Sequence, residues 1–231
     1  LRELSGRKQI ELLGGGYYNP VFPLLFSQDR SGQIELLTSA LTHSVGKRPR
    51  GMTLYGSVWD SSLIPGLQTC GMEYVFLDSS LISPEKRCFL PLVASEQGKS
   101  IRVIPTYEAL LPGPEQEEGT AADYLSDLEQ TVAAAAEKDG LGEARMVALH
   151  FTIDRFMPLL EKGWLKAFYA VAGAAQKQSG VRVRLPLEYL HKTDAVLPAY
   201  INAGLKADIA KWARIPYAAT EAKNGFPVTI H

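Results

Sequence analysis

Carboxylates of this sequence fall where strand-like runs end. Asp78 closes Tyr74-Val75-Phe76-Leu77, and Asp154 follows Phe151-Thr152-Ile153. Asp60 follows Trp59 just beyond the run Gly51–Tyr55, and Glu96 stands before the run that begins at Ser100. The C-terminal ends of strands are where α/β barrels build their sites. Tyr17, Tyr18, Tyr55, Trp59, Phe151 and Phe156 gather at the same ends. Aromatic faces stack on the apolar face of a pyranose, so acids with aromatics compose a sugar site. The alternative for the aromatics is packing at a barrel rim. Two carboxyl groups flanking a glycosidic bond are the machinery of glycoside chemistry.

Other chemistries lack their residues. Gly14-Gly15-Gly16 follows a strand-like run, but neither GxGxxG nor GxxxxGK[ST] is completed, and Tyr17-Tyr18-Asn19-Pro20 follows instead of a helix start. These glycines are expected to let the backbone turn sharply above a sheet. His43, His150, His191 and His231 show no HxH or HxxxH spacing, and Cys70 and Cys88 have no partners in a metal-ligand pattern. His150, inside an apolar run, reads as a core histidine. No GxSxG is present for a serine hydrolase. No cofactor and no metal are expected.

The elements that must carry these residues alternate. Strands are expected at Gln9–Leu13, Gly51–Tyr55, Tyr74–Asp78, Ser100–Pro105, Met146–Thr152 and Val181–Leu187. Several are apolar throughout, as in Met146-Val147-Ala148-Leu149, which suits strands covered on both faces. Helices are expected at Gly32–Ser44, Ser61–Cys70, Ala121–Lys138, Pro158–Gln178 and Asn202–Ala213. Thr120 with Asp123 three residues on resembles a capping box, and Asp139-Gly140 supplies a stop. Leu159, Leu160, Trp164, Leu165, Phe168, Val171 and Ala172 recur at helical spacing and define one buried face. Leu1 to Leu4 reads as the last turn of a helix closed by Ser5-Gly6, which implies chain upstream. Strand–helix alternation points to an α/β barrel or an open doubly wound sheet.

Composition narrows the partners. The chain has 231 residues, 46% of them hydrophobic, and a formal net charge of −1. That balance gives no electrostatic case for nucleic acid or an anionic membrane. No run of apolar residues is long enough for a transmembrane helix. No signal peptide is legible, and the few cysteines fit a reducing compartment, so the expected location is cytoplasmic. One domain is expected over 1–231, truncated at its N-terminus, with the acidic Pro112–Thr120 stretch as a mobile loop insertion.

A string of ordered motifs resembles the family-57 glycoside hydrolases, which contain 4-α-glucanotransferases, amylases and branching enzymes. It runs through Ile10-Glu11-Leu12-Leu13-Gly14-Gly15-Gly16-Tyr17-Tyr18-Asn19-Pro20 and Asp29-Arg30-Ser31-Gly32-Gln33-Ile34. It continues in Gly46-Lys47-Arg48-Pro49-Arg50-Gly51-Met52, Gly71-Met72-Glu73-Tyr74, Glu96-Gln97-Gly98-Lys99 and Ile104-Pro105, and more faintly from Tyr200 to Trp212. The resemblance implies an irregular seven-stranded parallel (β/α) barrel of the glycoside hydrolase/deacetylase type. The family's first strand, with its His-Gln-Pro motif, is absent here.

The functional residues that the resemblance implies are altered. The family's nucleophile lies between a Leu-x pair and an Arg-Val-Trp run; Leu54-Tyr55-Gly56-Ser57-Val58-Trp59 puts Gly56 there. The acid/base motif Phe-Asp-Gly-Glu aligns with Phe151-Thr152-Ile153-Asp154, putting Thr152 at the aspartate. Tyr-Glu-Pro has become Tyr18-Asn19-Pro20, and Asp-Asp-x-His has become Asp78-Ser79-Ser80-Leu81. Glycine cannot attack an anomeric carbon, and a threonine hydroxyl does not titrate near neutral pH. Losing one member of a catalytic set costs roughly 10⁴ in rate or more.

The expectation is therefore a pseudoenzyme that binds an α-glucan or maltooligosaccharide through Tyr17, Tyr18, Asn19, Trp59 and Asp78. An active glucanotransferase or amylase would need relocated carboxylates. Asp154, two places from Thr152 and so on the same side of a strand, and Asp60 are the candidates. A protein-binding scaffold without sugar is the third reading. A deacetylase needs an aspartate with paired histidines, and that spacing does not occur.

Overall fold

The computed structural model describes residues 1–141, 145–178, 181–194 and 196–206. The described residues cluster into two compact units, Leu1–Pro105 with those from Leu185 to Lys206, and Thr106–Arg184.

The first unit is built around a sheet. β1 (Gly51–Thr53), β2 (Tyr74–Asp78), β3 (Leu92–Glu96), β4 (Lys99–Thr106) and β5 (Leu197–Pro198) lie in the order β1-β2-β4-β3-β5. β1 and β2 are parallel with Gly51 opposite Tyr74, and β3 and β5 are parallel with Leu92 opposite Leu197. β3 and β4 are antiparallel, joined at Gln97-Gly98. Both turn residues have positive φ, 49° and 74°, which suits a two-residue hairpin. This hairpin was not expected, since parallel strands alone were read from the apolar runs.

Three expected strands do not form ladders. The run 9–13 forms no regular element and reaches the sheet only at the next residue, through a parallel bridge of Gly14 to Met52. The run 146–152 makes a single parallel bridge, Ala148 to Thr106, within the second unit. The run 181–187 is irregular and then enters a helix, Pro186–Lys192, with Pro186 in the first turn. A short apolar run says that a segment is covered, not that a neighbour pairs along its length.

Helices fill one side of the reading more faithfully. In the first unit α1 spans Arg2–Gly6, α2 Ser27–Val45 and α3 Leu63–Thr69. α2 ends at Gly46 with φ 84°, whose N–H donates to the Thr42 carbonyl. Met52, Ile64, Leu67, Met72, Val75, Leu77, Leu92 and Ile101 form the core between these helices and the sheet. Of the expected helix 202–213, residues 202–206 are not helical and the rest lie outside the described residues.

In the second unit α4 runs Ala121–Asp139, α5 Ile153–Glu161 and α6 Trp164–Gln178; α7 is Pro186–Lys192 of the first unit. The expected single helix from Pro158 is broken at Gly163, which has φ 74°. The Trp164 and Phe168 rings stack at 5.0 Å, and Tyr124 meets Trp164 edge-on at 5.2 Å. The capping box stands one turn earlier than expected, between Glu117 and Thr120. The acidic loop is tied down there by Lys162 Nζ, which donates to the Pro114 carbonyl at 2.7 Å.

Candidate functional site

β1 and β2 deliver their C-terminal ends side by side, since Thr53 registers with Phe76. Beyond β1 the chain turns through Tyr55–Ser57, where Gly56 has φ 62° and Ser57 φ 51°. Two successive left-handed residues make a tight reversal in which glycine is at home and a larger residue is strained. The turn lifts Tyr55 half into solvent and then drives Val58 and Trp59 back into the core.

Asp78 ends β2 and is buried. One oxygen accepts the Ser80 backbone N–H at 2.9 Å, capping the short turn Ser79–Leu81. The other lies 4.0 Å from Lys206 Nζ. A buried carboxylate held this way fixes the chain at the end of β2 and keeps a negative charge beside Lys206.

Trp59 is placed otherwise than expected. It is 1% exposed, and its indole N–H donates to the Ile201 carbonyl at 3.2 Å. Its backbone exchanges hydrogen bonds with Gly204 at 2.8 and 2.9 Å. A ring enclosed on both faces has none to lay against a pyranose, so Trp59 packs and ties the chain beyond β1 to residues 201–204. Asp60, next in line, is half-buried, and Oδ1 accepts the Ser62 N–H at 2.8 Å at the start of α3. Its neighbour Ser61 donates to Glu96 Oε2 at 2.9 Å, which ties the expected strand-end acid Glu96 to the same corner.

Tyr17 and Tyr18 are exposed and meet edge to face at 4.9 Å. The Tyr18 N–H donates to Gln33 Oε1 at 2.9 Å, and the Tyr17 N–H to the Gln33 carbonyl at 3.2 Å, so α2 holds the pair in place. Asn19, with φ 48°, turns the chain, its N–H donating to the Gly16 carbonyl at 3.1 Å. None of Gly14, Gly15 and Gly16 has positive φ. Gly16 is needed for room instead, because a Cβ there would stand 2.2 Å from Pro20 Cδ.

Thr152 and Asp154 lie in the second unit. Thr152 is the residue before α5, and Asp154 is exposed in that helix's first turn. The strand argument for Asp154 therefore does not hold: Thr152 is the extended residue ahead of α5 and Asp154 lies in the helix, so the two are not alternate residues of one strand. The carboxylate instead sits where a helix N-terminus favours negative charge.

Lys206, Gly204 and Ile201 were not foreseen at this site. They come from a segment more than a hundred residues away from Trp59 along the chain, and only its faint likeness to a family motif marked it.

The sequence profile of Glycosyl hydrolase family 57 matches residues 1–197. An α-amylase of Pyrococcus horikoshii is 28% identical over 222 residues, covering 92% of this chain and 33% of that protein. A 4-α-glucanotransferase of Thermococcus kodakarensis is 26% identical over 226 residues, covering 92% of this chain and 32% of the relative. The crystal structure of the 4-α-glucanotransferase of Thermococcus litoralis superposes with a TM-score of 0.65 at 21% identity, over 97% of this chain and 35% of that one. The chain thus spans about a third of the length of these proteins.

Proposed function

The chain belongs to glycosyl hydrolase family 57, and we propose that it serves there as a catalytically degenerate protein that binds α-glucan or maltooligosaccharide. The observation that carries this reading is the turn at Gly56. The position that the family resemblance gives to the nucleophile is a side-chain-free residue with φ 62°. No carboxylate can be presented from it, and glycoside cleavage with retention needs one about 5 Å from a second carboxyl.

Two of the acids have other engagements. Asp60 accepts the Ser62 N–H just ahead of α3, and Asp78 caps the turn after β2. What supports sugar binding is the exposed Tyr17–Tyr18 pair with Asn19 in its turn, and the Asp78–Lys206 pair at the end of β2. Ring faces and a few fixed polar groups are what a glucan site needs for recognition, independently of bond cleavage.

Calorimetric titration with maltoheptaose, beside chromatography of the sugar after incubation, tests the reading. Saturable binding weakened about tenfold by Tyr17→Ala/Tyr18→Ala is expected, with the chain-length distribution unchanged. Redistribution of chain lengths that Asp154→Asn or Asp60→Asn abolishes would instead establish an active transferase or amylase with relocated carboxylates. An unchanged heat of dilution at millimolar sugar would leave a protein-binding scaffold.

A further inference from the structure

The opposite end of β1 opens on a second site. Arg48, Pro49 and Arg50 lead into that strand and line a cavity of 500 Å³, away from the Gly56 turn at the strand's other end. Lys8 and Lys47 line it as well, from the chain that follows α1 and the chain that follows α2. The apolar wall is Ile10, Leu12, Leu185 and Leu187.

The charges in this cavity are unevenly satisfied. Glu11 has both oxygens occupied, Oε1 by the Tyr74 hydroxyl at 2.7 Å and Oε2 by the Leu187 N–H at 3.1 Å. Glu188 is held by Lys192 at 2.6 Å. Arg50 and His191 both turn to Glu73, with Nε to Oε1 at 2.6 Å and Nε2 to Oε2 at 2.8 Å. Lys47 bonds only the Ser5 carbonyl, and Lys8 has no side-chain acceptor among the described residues. Arg48 uses Nη2 alone, on Glu35 at 2.6 Å and the Cys70 carbonyl at 2.8 Å. Among the described residues, two ammonium groups without carboxylate partners therefore share one concavity, while the Arg48 guanidinium is held by Glu35 and Cys70, which do not line it.

We propose that this cavity binds a small organic monophosphate, its phosphate against Lys8 and Lys47 and its body against the leucine-rich wall. A phosphate dianion matches two ammonium groups that hold no carboxylate, and hydrogen bonds between ionised partners are the strong ones. The apolar wall would gain nothing from inorganic phosphate, so the organic body is part of the assignment.

The test is calorimetric titration of the whole chain at low ionic strength with glucose 6-phosphate, phenyl phosphate and inorganic phosphate. At least one organic phosphate is expected to bind more tightly than inorganic phosphate, the sugar or aryl arm identifying the body. Lys8→Gln/Lys47→Gln is expected to weaken that binding by about tenfold or more, and Lys8→Arg/Lys47→Arg to keep it. Both lysines are exposed, and an unchanged circular dichroism spectrum confirms that the variants fold. Equal affinity for inorganic phosphate would overturn the organic body, and binding indifferent to the glutamine pair, or absent from every arm, would overturn the site.

Discussion

Trp59 and Gly204 exchange two backbone hydrogen bonds, 2.8 and 2.9 Å long, across 145 positions of sequence. With the indole N–H on the Ile201 carbonyl, this makes Trp59 the fastener between the end of β1 and the segment bearing Lys206. Trp59→Ala removes a fully enclosed ring and is expected to destabilise the protein by about 3–5 kcal/mol. Urea denaturation followed by circular dichroism measures it. A loss under about 1 kcal/mol would mean that the ring is not enclosed in solution.

Restoring an acid at one position is not expected to restore cleavage. Gly56→Glu places a carboxylate on a residue with φ 62°, at a cost of about 1–2 kcal/mol in backbone strain, and Thr152 still stands at the other acid's position. The expected outcome is a lower denaturation midpoint with no new chain lengths from maltoheptaose. Turnover by this single variant would show that the second acid is already in place.

Glu73 sets a pH dependence. Burial would raise its carboxyl, but hydrogen bonds from His191 and Arg50 outweigh burial and hold it below the ordinary value of 4.5. The folded state then binds fewer protons than the unfolded state, so this contribution is present above the unfolded value and is lost as pH falls through the folded one. Denaturation midpoints between about pH 6 and about pH 3 should fall more steeply in the native sequence than in Glu73→Gln. Parallel slopes would dismiss the His191–Glu73–Arg50 group as a stabilising contact.

Cys70 should be inert in the folded protein. Burial is the main cause that pushes its thiol up, and the nearby Glu35 adds to it against the hydrogen bond of Ser31 and the charge of Arg48. Cys88 is buried as well. Labelling by a disulfide reagent is expected to follow unfolding, with mass spectrometry assigning each thiol. Prompt modification of Cys70 at neutral pH would contradict its enclosure.

The sequence was most legible where a local rule and the tertiary setting agree. Tyr74–Asp78 is a strand with the bounds read from its apolar run, and Ala121–Asp139 is a helix ended by Gly140. It was least legible where pairing depends on a distant neighbour. Nothing local separates the run at Leu92, which forms a ladder, from the run at Met146, which forms one bridge. The hairpin did leave a trace in Gln97-Gly98, which entered the reading only as part of a family likeness. At the site, the types of Gly56, Asp78 and Tyr17 were readable, whereas the enclosure of Trp59 follows from contact with residues 201–204. The helical placement of Asp154 was hidden by Pro158, which looks like a start and instead lies inside α5.

The reversal at Gln97-Gly98 also bears on how the chain finds its shape. Closing two adjacent strands through two residues costs little chain entropy, whereas β1 with β2 and β3 with β5 must wait for distant segments to meet. Since β4 and β3 lie in the middle of the strand order, the pairing that closes the shortest loop is also the one with β2 and β5 on its two flanks.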